Sequence, residues 1–418
     1  MKRVVSDPPT SGLPVRDRSR RRILAAVSGA TGFALARPAL AQRRYDPGAS
    51  DAEIVIGNIV PYSGPASAYG VIGRALGAYF ARLNADGGIA GRKIRYLSVD
   101  DGYSPPRTVE QARRLVEHEQ VLLIAQVLGT APNVAIQRYL NQRKVPQLFV
   151  ATGATRWGDP AHYPYTMGWQ PSYQTEARVY ARHILESRPS AKIAVLMQND
   201  DYGRDYLKGL QDGLGERAAQ MVVAQMSYEV TDPTIDSQLI RLKASGADTF
   251  FSITTPKFAA QAIRKCFEIG WRPQQYLNSV SNAVASVMLP AGAQASTGVL
   301  SSNYIKDPTD PQWAGSTEHE AWLNWMRRWH PGGDVRDSFN VYAYSVAQTI
   351  EQVLRQCGDD LTRDNVMKQA ASLDMALPML LPGVRVKTAA NDYFPIKALQ
   401  MMRFNGQSWE RFGRIYGA

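Results

Sequence analysis

Five short stretches gather residue types that hold small molecules: "PYSGPASAYG" (61–70), "LGTAPN" (128–133), "TGATRW" (152–157), "NDDYGRD" (199–205) and "TTPK" (254–257). Four of the five are rich in Gly, Ser, Thr and Tyr, which suits close backbone approach, hydroxyl hydrogen bonds and aromatic contact. Tyr69 and Tyr202 are placed to wall a cleft. Thr130 opens the helical stretch "APNVAIQRYL", and the N-terminus of a helix favours an anion. Lys257 follows Pro256 directly after the apolar run "DTFFSI", a cation where a buried strand should end.

Other patterns argue against catalysis. His118, His162, His183, His319 and His330 are scattered, with no HExxH or other ligand spacing. There is no GxSxG elbow, no P-loop and no GxGxxG after a strand. Asp100 and Asp101 are adjacent on a strand end and so point in different directions, which makes them turn and capping groups. The two cysteines, Cys266 and Cys357, lie in separate helical stretches and predict buried free thiols. The expectation is a binding protein, not an enzyme, with no cofactor and no metal.

These stretches need a frame that brings them together. Strand-length apolar runs ("EIVIGNIV", "IRYLSVD", "VLLIAQV", "QLFVA", "KIAVLMQ", "MVVAQMSY", "DTFFSI") alternate with helix-length amphipathic segments such as "APNVAIQRYLNQ" and "FAAQAIRKCFEIG". The alternation predicts an α/β fold of parallel sheets with helices on both faces. The rhythm breaks at "DPAHYPYTMGWQPSY", the expected crossing between two Rossmann-like lobes. In such sheets a ligand collects at the carboxyl ends of the strands, where all five stretches fall. The aromatic stripes of "HEAWLNWMRRW" and "SFNVYAYSVAQTIEQVLRQ" read as core packing over the first lobe.

A chain of 418 residues is comfortable for two domains. The formal charge of +11 would suggest a nucleic-acid partner if it were spread over the fold, but residues 1–41 hold eight Lys/Arg against two Asp. That segment, "SRRRILAAVSGATGFALARPALAQ", has an Arg pair, an apolar run and the small-residue site Ala39-Leu40-Ala41, the pattern of a secretory signal of twin-arginine type. The mature protein is expected to start near Gln42, in the periplasm. No internal stretch is long and apolar enough to span a bilayer.

Together, the signal and "VPYSGPASAYG", "NADGGIAGRKI", "VDDGYSP", "VPQLFVATGAT", "NDDYG" and "LKASGAD" resemble the periplasmic substrate-binding proteins of branched-chain amino acid ABC transporters, the leucine/isoleucine/valine-binding family. The resemblance implies a type I periplasmic fold with a three-segment hinge. It gives lobe 1 residues 51–170 and 284–382, and lobe 2 residues 171–283 and 383–418. It also implies a monomer that closes on a small carboxylate ligand and hands it to a membrane permease. Position by position, Thr130, Ala154 and Thr155 match the carboxylate-holding places, Gly129 and Ala154 the close-approach places, and Tyr69 and Tyr202 the aromatic ones.

Lys257 departs from the family, whose amino-acid-binding members carry there an acid that pairs with the ligand ammonium. A lysine would repel that group, so the expected ligand is an amine-free organic or aromatic acid, or an amide. Either Lys257 faces the cleft and pairs with an accepting group, or it swings out to solvent or a surface acid. The alternatives are an amino-acid ligand, or a ligand sensor on the same fold.

Overall fold

The computed structural model describes residues 43–417. The export signal expected at 1–41 lies outside the described residues. The first sheet holds β1 (Glu53–Val60), β2 (Lys93–Asp100), β3 (Leu123–Ala125), β4 (Gln147–Val150) and β5 (Thr166–Gly168), all parallel, in the order β2-β1-β3-β4-β5. Strand β1 is apolar almost throughout because it is central and covered on both faces. The second sheet contains β6 (Ile193–Gln198), β7 (Val222–Tyr228), β8 (Thr249–Ile253), β9 (Gln274–Leu277) and β10 (Leu300–Asn303), parallel and ordered β7-β6-β8-β9-β10. Both sheets therefore reverse strand order beside their first strand. Each has a crevice at its switch point, between β1 and β3 and between β6 and β8.

Helices α1 (Gly70–Ala85), α2 (Pro105–Arg113) and α3 (Thr130–Gln142) connect the first sheet, and α4 (Tyr173–Ser187), α5 (Asp201–Leu214), α6 (Asp236–Ala244) and α7 (Pro256–Glu268) the second. Chain crossing follows β5, within the break anticipated at 159–173, where Tyr173 begins α4 and packs on Tyr206 of α5 with ring centroids 4.4 Å apart. Helices α8 (Thr317–Trp329) and α9 (Ser338–Cys357) return to the first lobe, where Tyr344 of α9 meets Tyr79 of α1 edge-on at 5.5 Å.

Two features differ from the sequence expectation. The chain does not leave the second sheet at 283, because β10 extends that sheet as far as Asn303. The second sheet is also not wholly parallel. Strands β11 (Leu399–Phe404) and β12 (Trp409–Tyr416) form a hairpin that adds antiparallel to β10. The return segment pairs with the outgoing one at the crossing, where the Leu381 amide donates to the Tyr304 carbonyl at 2.9 Å. Both cysteines are free and buried, as expected, and burial pushes each thiol up to about 12. Among the described residues no helix is long and apolar enough to cross a membrane.

Candidate functional site

The two switch points face each other across one cavity of about 670 Å³, counting its open mouth. From the first lobe come Tyr69 after β1, Gly129 and Thr130 after β3, and Phe339 and Tyr342 from the first turn of α9. The second lobe contributes Tyr202 after β6, Thr255 after β8, and Ser279, Val280 and Asn282 after β9. Gln170, Tyr173, Asn303 and Tyr304 enter from the crossing segments. Among the described residues no Asp, Glu, Lys, Arg or His lines this space.

Local chemistry holds each wall in place. Asp100 accepts from the Tyr62 and Gly102 amides at 2.8 and 2.9 Å, and Asp101 from the Tyr103 amide and the Thr108 hydroxyl at 2.9 and 2.7 Å. These adjacent acids are the turn and capping groups expected, and they set Tyr103 at a φ of 62°, with its ring against Gly129. Gly129 itself has a φ of 93°, and a Cβ there would lie 2.4 Å from that ring, so only glycine fits. Gly129 carries no capping side chain at the start of α3, which leaves that helix's first N–H groups beside the cavity.

The Thr130 and Thr152 hydroxyls are 2.6 Å apart. The Tyr69 hydroxyl reaches across the lobes and donates to the Val280 carbonyl at 2.9 Å, while its ring lies 5.1 Å from that of Phe339. On the far side the Tyr202 hydroxyl accepts from Asn278 at 2.9 Å, and its ring meets Tyr173 edge-on at 5.2 Å.

Behind the wall sits a buried acid. Glu176 of α4 accepts from the Tyr180 hydroxyl at 2.7 Å, the Tyr206 hydroxyl at 2.9 Å, and the Ser279 amide and hydroxyl at 2.7 and 2.6 Å. Burial raises its carboxyl above the ordinary range, opposed by those four donors. They pin the turn that presents Ser279, Val280 and Asn282 to the cavity. Burial also raises the phenols of Tyr69, Tyr103, Tyr202 and Tyr304, so the lining stays uncharged.

Of the seven residues anticipated from sequence, Tyr69, Gly129, Thr130 and Tyr202 line the cavity and three do not. Ala154 and Thr155 line a separate shallow cleft with Arg156, Asp201, Arg204, Asp205 and Lys208. Thr155 donates its amide and its hydroxyl to Asp205 at 2.7 and 2.9 Å. The hydroxyl opposite Thr130 belongs to Thr152, three positions before Thr155. Lys257 also points elsewhere. Its amine donates to the Asp232 carbonyl at 2.9 Å and lies 4.6 Å from the centre of the Phe258 ring. Thr255, two residues before it, lines the cavity instead.

Sequence reasoning read the Phe339 and Tyr342 stripe as core. Tyr103, Tyr173, Asn282 and Asn303 were not picked out. For Tyr103 a signal was present, since it follows the acid pair at a strand end.

A sequence profile of the family described as periplasmic binding protein matches residues 53–408. A Leu/Ile/Val-binding protein homolog 7 of Brucella suis is 26% identical over 239 residues, covering 54% of this chain and 58% of the relative. The match thus spans little more than half of that relative's length. Among solved structures, a branched-chain amino acid ABC transporter protein from Thermus thermophilus with bound valine superposes with a TM-score of 0.77 at 14% identity, over 89% of this chain and 97% of that one. A solute-binding protein of an ABC transporter from R. palustris, in complex with 4-hydroxybenzoate, gives 0.74 at 17% identity over 87% and 97%.

Proposed function

The chain belongs to the periplasmic binding protein family, and from that premise we propose that it captures an amine-free ring compound, an aromatic acid or amide, for an ABC importer. One observation carries the ligand class: the cavity is walled by aromatic rings, hydroxyls and amides, with no ionised side chain among the described residues that line it. An amino acid would bring an ammonium group into that space. Without a carboxylate to meet it, the desolvation cost is several kcal/mol, as an order of magnitude. A ligand carboxylate fares better, because the uncapped start of α3 beside Thr130 offers backbone N–H groups and the positive end of a helix dipole. A neutral amide is served by the same donors and by Asn282 and Asn303 on the opposite side. Rings suit rings, since Tyr69, Phe339 and Tyr202 give flat faces and edges at stacking distance.

Function then follows from shape. A ligand seated on the first lobe through Thr130 is covered by the second lobe through Tyr202 and Thr255, and the permease reads the closed form. The same proposal includes export by the twin-arginine route and a monomeric state. The related proteins show how widely the fold can be adapted, with valine in one and 4-hydroxybenzoate in another.

Thermal shift and calorimetry on residues 43–418 with benzoate, 4-hydroxybenzoate, benzamide, leucine and valine test the reading, because a ligand of the native state raises the melting temperature by mass action. Stabilisation by the amine-free probes is expected. Stabilisation by leucine or valine alone would overturn it.

A further inference from the structure

We infer that Asp205 is a positioning residue for ligand capture, clasping the Thr155 turn of the first lobe and favouring the closed form equally for every ligand. This rests on the interlobe binding reading above. Thr155 begins a short turn after β4, and Asp205 lies on α5 of the second lobe. One carboxylate oxygen of Asp205 takes both donors of Thr155, the amide at 2.7 Å and the hydroxyl at 2.9 Å. Its other oxygen accepts from Gln174 of α4 at 2.7 Å, which fixes the carboxylate for that grip.

Half-burial and two charge-assisted bonds make this contact stronger than an ordinary surface pair. One turn earlier on α5, Asp201 pairs with Arg156 at 3.3 Å and Arg204 at 2.9 Å, but these groups are exposed and add little. Tyr202, between the two acids on the same helix, lines the cavity. Helix α5 therefore carries a ligand wall and a lobe clasp together.

Thermodynamics separates these roles. Neither Thr155 nor Asp205 lines the cavity, so the clasp contributes the same term to closure whichever ligand is bound. Removing it lowers the closed fraction and weakens every apparent affinity by one common factor. A residue that touches ligand changes the ranking of ligands instead.

The test uses Asp205→Ala and, as a gentler partner, Thr155→Val, with Arg385→Ala as a control, whose guanidinium lines neither the cavity nor the cleft and pairs with Asp374 at 2.7 Å. Small-angle scattering of the unliganded proteins is read first, then calorimetry with benzoate, 4-hydroxybenzoate and benzamide. Both clasp variants should have a larger radius of gyration than the parent. They should bind each probe about tenfold more weakly, by the same factor. The control should match the parent. An unchanged radius overturns the inference, as does a loss that differs from probe to probe. Should no probe bind the parent protein, the ligand reading fails by itself, and the scattering comparison alone decides for or against the clasp.

Discussion

Two surfaces meet between the lobes, and they differ in charge. Among the described residues no ionised side chain faces the cavity, whereas the cleft at Thr155 holds Arg156, Asp201, Arg204, Asp205 and Lys208 around one turn. Charge is placed where two lobes must find each other, and withheld where a ligand must be desolvated. Glu176, an acid close behind the Ser279 turn of the cavity wall, is exempt because four donors from Tyr180, Tyr206 and Ser279 satisfy it. Breaking that exemption should have the largest effect of all. Glu176→Ala takes the shared acceptor away from the buried Tyr206 hydroxyl and from Ser279, while Tyr180 keeps the Leu277 carbonyl and the Ser302 hydroxyl, and it is expected to lower unfolding free energy by about 3–5 kcal/mol, read from urea denaturation. Full retention of stability would mean that water replaces the carboxylate and the turn does not depend on it.

Gly129 sharpens the comparison from the neutral side. Gly129→Ala puts a Cβ 2.4 Å from the Tyr103 ring at a φ of 93°. The strain is expected to cost about 1–3 kcal/mol, with loss of binding for all probes as the ring is pushed into the cavity. A smaller effect tests the rings themselves. Tyr69→Phe removes the bond to the Val280 carbonyl, made at 2.9 Å across the lobes, and a longer contact with the Ser281 hydroxyl at 3.5 Å, and keeps the contact with Phe339. About 1 kcal/mol of affinity should be lost in calorimetry, without loss of ring-bearing selectivity.

The frame of this site was legible in the sequence because it depends on period and strand ends. Apolar runs located β1, β2, β3, β4, β6, β7 and β8, and the turns after three of them supplied Tyr69, Thr130 and Tyr202. The closing hairpin was not legible, since "LQMMRF" and "WERFGRIY" mix arginine with aromatics and lack the strand-helix rhythm. Short polar strands such as "LSSN" in β10 were missed for a related reason. Their hydroxyls are buried and paired inside the sheet, as when Tyr180 meets the Ser302 hydroxyl at 2.9 Å, and no apolar pattern marks them. Thr152 and Thr155 follow similar small residues, and only the path of the loop decides which one faces Thr130. Phe339 and Tyr342 show the other limit, because periodicity gives the face of α9 and not whether that face covers core or cavity.

Lys257 gives the smallest expected effect and the cleanest separation of the two surfaces. Its departure from the family pattern led to the expectation of an amine-free ligand, yet its side chain takes no part in the cavity. The amine is held by the Asp232 carbonyl at 2.9 Å and by the Phe258 ring. The amine-free reading therefore rests on the neutral lining of the cavity and not on the side chain at this position. Lys257→Glu would lose one partly buried hydrogen bond and a cation-ring contact, about 1 kcal/mol of stability together. The ranking of benzoate, benzamide and valine in calorimetry should be unchanged, because a glutamate on the same outward path cannot reach a ligand ammonium. A gain of valine binding in Lys257→Glu would show instead that this side chain turns inward when the lobes open, and that the neutrality of the cavity belongs to the closed form alone.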